Sequence, residues 1–264
     1  MAVVNLGVQL PGSGYKHISE FNIEDVFSGI PFKDGLVGAY FLTNQNVSPL
    51  INYADMSKPL MRVGNPVVND KYTILDHANY YDTGLPSTET LSALAISLPS
   101  VSTTNLSGII LSNYRKDSGT NNIAQGDTLR AYSDEGIIKF TQYADFSMAS
   151  PPSANITGGD LPANKLIISY GLVGTVGGGL CGVSHYNPDT DKNVSNIYAG
   201  AYQNPRRVES ERTLRIGTTT SDTEFLGQSA VSAVLIFNKD LGGAGLIANE
   251  RWLHGTFGAE WGLW

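Results

Sequence analysis

Short strand-like segments separated by turns constrain the fold of this chain more than any other feature of its sequence. Each segment is rich in apolar, β-branched or aromatic residues and is bounded by Gly, Asn, Asp or Pro, which are typical of turns. Segments of this length and spacing predict an all-β chain that folds as a two-sheet antiparallel sandwich, or jelly roll. The predicted strands cover residues 35–42, 72–85, 90–99, 108–115, 127–133, 137–144, 165–174, 178–187, 212–219 and 229–238.

Two of these segments indicate how the strands are covered. In segment 90–99, Leu91, Ala93 and Ala95 share one face, which is typical of a strand that turns one side to a core. Segment 165–174 (KLIISYGLVG) is almost continuously apolar. Such a run predicts a strand that is covered on both faces.

Both ends of the chain depart from the strand pattern. Glycine- and proline-containing turns interrupt residues 1–33, which we interpret as an N-terminal arm or attachment segment, or as a strap packed on the core. After Asp240, apolar residues recur at helical spacing up to Leu253. This spacing predicts a short C-terminal helix that ends at Gly255. Residues 34–264 are then the jelly-roll domain.

The charge and cysteine content argue against several classes of function. The 264 residues include 17 Lys and Arg and 24 Asp and Glu, a formal net charge of −7, so we expect no nucleic-acid partner. A single cysteine, Cys181, excludes an intrachain disulfide, and its apolar strand predicts an inert core thiol. We find neither a secretory leader nor an apolar run of about 18 residues, so we expect cytosolic synthesis and no membrane insertion.

Three stretches of the chain follow one another in an order that is found in a known family. They are GLVGAYFL (35–42) with its polar loop, the pair PLMRVGNPVV (59–68) and ANYYDTGL (78–85), and the closing run LRIGTTT (214–220) before SAVSAVLIFNKDL (229–241). This order resembles the concanavalin A-like jelly roll in its laminin-G-like form, over roughly residues 35–255. Folds of this kind serve lectins, glycosidases, adhesion modules and virion proteins, so the resemblance implies a fold more than a function.

A domain of this type behind a short arm, with few charged residues, looks like a bacteriophage tail or fibre protein. The resemblance implies a non-enzymatic virion structural protein that is made in the host cytoplasm and leaves it within the assembled particle. Its expected partners are other virion proteins, further copies of the same chain (a trimer if it forms a fibre) and a cell-surface glycan. A free carbohydrate-binding lectin is the first alternative, and a glycoside hydrolase of concanavalin A-like fold is the second.

The stretch 185–207 has the composition that sugar binding needs, with aromatic rings for stacking and planar polar groups that bond to hydroxyls. It is also the longest stretch between predicted strands on the C-terminal side, and long loops often carry function. Alternatively, its tyrosines pack the sandwich and the loop forms a subunit contact. The predicted glycan-binding residues are Tyr186, Asp189, Asp191, Asn193, Tyr202 and Arg206.

All three tryptophans, Trp252, Trp261 and Trp264, lie in the last thirteen residues. They either close the bottom of the core or anchor a subunit interface, because tryptophan is enriched at the centres of interfaces. We therefore name all three as candidate interface residues.

Sequence signals for catalysis or metal binding are weak. The Glu-x-Asp-x-Glu strand of concanavalin A-like glucanases and the Gly-x-Ser-x-Gly turn are both missing, so we predict no enzyme. The acidic pair Asp134 and Glu135 is expected in a hairpin turn. Residues 187–193 place oxygen ligands at alternate positions, as in the opening of a calcium loop. A polar hairpin turn is the favoured interpretation, and no cofactor is predicted.

Overall fold

The computed structural model describes residues 29–45, 48–101, 107–116, 124–146, 152–158, 161–162, 164–175, 179–199, 205–221 and 223–264. Two sheets, paired almost throughout in the antiparallel sense, confirm the predicted two-sheet all-β sandwich with a C-terminal helix. Of the predicted arm, residues 1–33, the part from residue 1 to residue 28 lies outside the described residues.

The first sheet has eight strands. They are β1 (Leu36–Phe41), β3 (Val67–Val68), β4 (Thr73–Leu75), β6 (Leu91–Leu98), β14 (Ile167–Gly174), β15 (Leu180–Asn187), β16 (Lys192–Ala199) and β18 (Ser229–Phe237). Their order across the sheet is β16-β15-β14-β6-β18-β4-β3, and β1 pairs with β18 beyond the end of β4. Strand β16 therefore forms one edge of this sheet.

The second sheet also has eight strands. They are β2 (Met61–Val63), β5 (Tyr80–Pro86), β7 (Ser100–Val101), β8 (Leu111–Ser112), β11 (Thr128–Asp134), β12 (Ile137–Tyr143), β13 (Ser153–Thr157) and β17 (Thr213–Ile216). Their order is β13-β12-β11-β8-β17-β5-β2, with β7 parallel to β11. A separate two-stranded ribbon joins β9 (Arg115–Lys116) and β10 (Ala124–Gln125).

The main core lies between the two sheets. Along β6, Leu91, Ala93 and Ala95 belong to this core, whereas Leu94 and Ile96 belong to a second cluster on the opposite face. The predicted alternation of this strand is thereby confirmed.

The second core covers the outer face of the first sheet. Helix α1 (Gly242–Trp252) and the π-helix that follows it (Leu253–Gly258) supply its outer layer. The rings of Trp252 and Phe257 lie 6.3 and 4.7 Å from the ring of Phe41 on β1, measured between centroids. Because both faces of the sheet are covered, all eight residues of β14 are buried, as its apolar run predicts.

The predicted end of the C-terminal helix at Gly255 is wrong. The helical path widens into the π-helix and continues through residue 260. Leu253 and Phe257 are both buried in the second core, and their burial outweighs the weak helix-ending tendency of one exposed glycine. In the described part of the chain, no helix is both long enough and apolar enough to cross a membrane.

Two strand assignments also differ from the sequence prediction. Segment 72–85 contains two strands that belong to different sheets, because Oδ1 of Asp76 accepts bonds from the backbone N–H groups of Ala78 (2.8 Å) and Asn79 (2.9 Å) and turns the chain. The stretch 185–207 is not one long loop, since it contains β16. An edge strand has one unpaired side and so shows a more polar sequence than a central strand.

The predicted hairpin turn at Asp134 and Glu135 is confirmed. Glu135 and Gly136 both have positive φ angles, 51° and 81°. This pair forms the two-residue turn whose twist fits a hairpin, and it connects β11 to β12.

Candidate functional site

The hairpin β15–β16 carries four of the six predicted glycan-binding residues. Its turn is closed by the backbone bond from Asp191 N–H to the Pro188 carbonyl (3.4 Å). Oδ1 of Asn187 also accepts the backbone N–H of Asp189 (3.0 Å). The predicted polar hairpin turn is therefore confirmed, and it leaves the side chain of Asp189 exposed.

Tyr186 and Asp191 belong to a polar contact between this hairpin and α1. The hydroxyl of Tyr186 donates to Oδ1 of Asp191 (2.8 Å), and Arg251 donates to both oxygens of the same carboxylate (3.0 and 2.7 Å). The bonds from Arg251 and Tyr186 lower the pKa of Asp191, and burial together with that bond raises the pKa of Tyr186 to about 12. The ring of Tyr186 is thus held in a fixed orientation.

Asn193 bonds to a buried acid. Its Nδ2 donates to Oε1 of Glu250 on α1 (2.6 Å) and to the hydroxyl of Ser184 (3.1 Å). Glu250 is fully buried, and its Oε2 has no hydrogen-bond partner within the described structure. Burial raises the pKa of Glu250 to about 8, so this carboxyl group keeps its proton at neutral pH.

A pocket of about 520 Å³ opens at one end of the first sheet. Two predicted glycan-binding residues, Tyr186 and Asp189, and one predicted interface residue, Trp264, line it together. Buried aliphatic side chains from β14, its preceding turn and the C-terminal segment contribute to its lining. The described lining residues are Lys71, Tyr72, Leu98, Leu161, Pro162, Asn164, Lys165, Leu166, Ile167, Ile168, Tyr186, Pro188, Asp189, His254, Leu263 and Trp264.

One wall of the pocket is aromatic. Trp264 is 43% exposed, its Nε1 donates to the carbonyl of His254 (2.9 Å), and the two rings lie 4.9 Å apart. The ring of His254 lies 6.0 Å from that of Tyr186. Burial lowers the pKa of His254, so its imidazole is uncharged at neutral pH.

The rim of the pocket is built on turns. Oδ1 of Asn69 accepts the backbone N–H groups of Lys71 (3.0 Å) and Tyr72 (2.9 Å). On another side, the backbone N–H of Lys165 donates to the carbonyl of Pro162 (3.2 Å). Sequence reasoning missed these residues because they come from turns far apart in the chain, although the Asn-Asp-Lys turn is itself a visible signal.

The remaining tryptophans lie elsewhere. Trp252 is buried in the second core, stacked 5.8 Å from Phe257, and the half-buried Trp261 lies 4.6 Å from the same ring. Both contribute to the layer that covers the first sheet. Their part in a subunit interface stays a prediction.

Arg206 lies in a buried ion network and does not line the pocket. Its side chain is wholly buried and donates to both oxygens of Asp127 (2.8 and 2.5 Å) and to the carbonyl of Asp145 (2.9 Å). Arg212 pairs with the carboxylate of Asp145 (2.9 Å). Burial raises the pKa of Asp145. Tyr202, the last predicted glycan-binding residue, lies outside the described residues.

Other reactive side chains are buried in the main core. Cys181 is fully buried, its thiol donates to the carbonyl of Gln142 (3.3 Å), and burial raises its pKa to about 12, which confirms the predicted core thiol. His185 is stacked 4.8 Å from Phe140. Within the described residues, no three His, Cys, Asp or Glu side chains are grouped to hold a metal ion.

Comparison with known proteins gives matches to solved structures. No protein-family model matches the chain, and no curated protein sequence does. The binding domain of botulinum neurotoxin serotype D is 11% identical with a TM-score of 0.52, and the match covers 85% of this chain and 53% of that chain. A structure of botulinum neurotoxin type C, described as depending on two ganglioside molecules to enter cells, is 12% identical with a TM-score of 0.52, covering 83% and 51%.

The enzymatically active domain of tailspike protein 2 from bacteriophage CBA120 also matches, at 15% identity and a TM-score of 0.49, over 73% of this chain and 30% of that chain. That TM-score is too low to carry an inference. The neurotoxin matches show a shared β-sandwich jelly-roll fold, and this chain spans about half the length of those proteins. The finer concanavalin A-like assignment stays a prediction.

Replacing Arg206 by methionine should lower the free energy of unfolding by about 3–5 kcal/mol, because Asp127 would remain as an unpaired buried charge. Chemical denaturation measures this loss. Arg251→Met is the matched control, since it removes a solvent-exposed ion pair and should cost much less stability than the loss of Arg206. Equal losses in the two variants would contradict the assigned role of Arg206.

The buried carboxyl of Glu250 predicts a pH dependence of stability. Its pKa in the folded chain, about 8, lies above the ordinary value of 4.5, so the unfolded chain loses this proton first. The free energy of unfolding should therefore fall as the pH rises between these two values. Glu250→Gln imitates the protonated acid, so the free energy of unfolding of this variant should fall less over the same pH range.

Denaturation of both proteins at about pH 5 and about pH 9 measures the difference. Glu260→Gln, at an exposed position of the C-terminal segment, serves as the control and should follow the original chain. If Glu250→Gln also follows the original chain at both pH values, the buried acid is ionised and the assignment is wrong.

Proposed function

We propose that this chain is a non-enzymatic binding module that contacts a glycan through the pocket at the end of the first sheet. The observation that carries the proposal is the exposed ring of Trp264, which lies beside Tyr72, Tyr186 and a polar rim in one concave site. Small-ligand sites of roughly 300–1,000 Å³ combine apolar walls with a few polar groups in this way.

The aromatic wall suits a sugar because one face of a pyranose ring is apolar while its edge carries hydroxyls. Trp264 is anchored through Nε1 to the backbone of His254, and Tyr186 through its hydroxyl to Asp191. Rings that are already held in place lose little conformational entropy when a ligand binds. At the rim, Asn164 and Asp189 offer amide and carboxylate groups to hydroxyls.

Binding without hydrolysis is part of the proposal. The described lining of the pocket contains a single acidic side chain, that of Asp189, whereas most glycoside hydrolases use two acidic side chains across the scissile bond. The ganglioside interaction belongs to botulinum neurotoxin type C, of which this chain matches about half. For this chain, glycan binding is supported by the pocket itself.

We further propose that the module belongs to a virion, as a tail or fibre protein that assembles in the host cytoplasm with copies of itself and other virion proteins. Only 16% of the residues are charged, and Met61 on β2 and Val67 on β3 are 55% and 59% exposed. Apolar side chains at sheet edges suit contact with neighbouring subunits. A free lectin, the alternative, would use the same pocket without these contacts.

Glycan binding should depend on Trp264. A glycan array screened with the full chain should give hits, and Trp264→Ala should weaken each hit by about tenfold or more, as expected for a central aromatic contact. Met56→Ala is the control, because Met56 is 63% exposed and lies outside the pocket lining. An array without hits, or equal binding by Trp264→Ala in its folded form, would refute the proposed site.

The virion proposal predicts self-association. Native mass measurement should show a closed homo-oligomer, a trimer for a fibre, and Met61→Glu should shift it towards monomer by placing a charge at the sheet edge. Ile137→Glu changes a similarly exposed apolar residue in the β11–β12 hairpin and should leave the mass unchanged. A chain that remains monomeric at every concentration would favour the free lectin.

A further inference from the structure

We infer that the glycan recognised by this pocket is an acidic one, whose sugar carries a carboxylate that binds between the rim lysines Lys71 and Lys165. The inference rests on the proposed function, because it names the class of sugar that the same pocket takes.

Both the backbone and the ammonium group of Lys71 are held in place at the rim. Its backbone lies in the turn capped by Asn69, next to the pocket residue Tyr72. Its ammonium group lies 3.3 Å from the carbonyl of Leu263, directly before Trp264. The bond to this carbonyl uses one of the three donors of the ammonium group and leaves two for a ligand. The positive charge is thus held beside the aromatic wall.

Lys165 supplies the second charge from the turn that leads into β14, and its side chain is exposed. Neither this lysine nor Lys71 pairs with a carboxylate among the residues that the structure describes. Several other lysines each pair with the carboxylate of one acidic residue. These are Lys58, Lys116, Lys139 and Lys239.

The charged side chains of the described pocket lining sum to a positive charge, whereas those of the whole chain sum to a negative one. The chain has a net charge of −7, whereas the described lining contains two lysines, one aspartate and an uncharged His254. An anionic ligand is therefore repelled by the net negative charge of the chain at long range but attracted by the lysines at the pocket. Ammonium groups that have no carboxylate partner among the described residues, as in these two lysines, form strong, charge-assisted bonds to a carboxylate. Asp189 is then left to accept sugar hydroxyls.

The test uses pairs of glycans that differ in one group. An oligosaccharide that ends in glucuronic acid is compared with the same oligosaccharide after reduction of its carboxylate to the alcohol, and a sialylated glycan is treated in the same way. The full chain should bind at least one acidic glycan with an affinity about tenfold or more above that for its reduced partner. Added salt should make this difference in affinity smaller.

Lys165→Gln and Lys71→Gln should each weaken binding of the acidic form by about fivefold or more and change binding of the reduced form little. Lys58→Gln makes the same change of net charge outside the pocket lining and should leave the preference intact. An equal effect of Lys58→Gln would assign the preference to long-range charge and overturn the inference.

The two proposals fail in different ways. If acidic and reduced glycans bind equally and Trp264→Ala weakens both, the acidic-sugar inference is overturned while glycan binding by the pocket stands. If neither form of any glycan binds, the proposed function falls and the inference falls with it.

Discussion

The burial of both faces of the first sheet is the packing on which the rest of the structure depends. One face meets the second sheet, and the other is covered by α1, the π-helix and the residues that follow them. The rings of Trp252 and Phe257 in this covering layer pack against the ring of Phe41 on β1. Because apolar side chains on both faces of the sheet are removed from water, the central strands β14 and β18 are mostly apolar.

The pocket is a consequence of this covering layer. The C-terminal segment crosses the end of the first sheet, so that Leu263 is buried against it while Trp264 stays exposed at the mouth. The same segment also brings Glu250 and Arg251 to the β15–β16 hairpin, where they hold Asn193 and Asp191. The hairpin and the aromatic wall are thereby fixed relative to each other, and the site needs little rearrangement to receive a ligand.

Polar residues with similar sequence surroundings have opposite roles in this fold. Asp189 and Arg206 both come from a stretch rich in Asn, Asp, Tyr and Arg. Asp189 lies exposed on a turn at the pocket, whereas Arg206 is buried and ties the segment around it to Asp127, which directly precedes β11 of the second sheet. A buried ion pair is stable only when nearly all of its hydrogen bonds are made, and these bonds come from residues distant in sequence.

The two-sheet sandwich, the position of most strands, the C-terminal helix and the buried cysteine could all be predicted from the sequence, because alternation and turn residues are local signals. The sequence also identified Tyr186, Asp189 and Trp264, yet as members of two separate sites. Only the tertiary structure joined them, together with Lys71 and Lys165, and removed Arg206 from the set. The reason is physical: a pocket is formed by turns that meet through long-range packing, and no local pattern records which turns will meet.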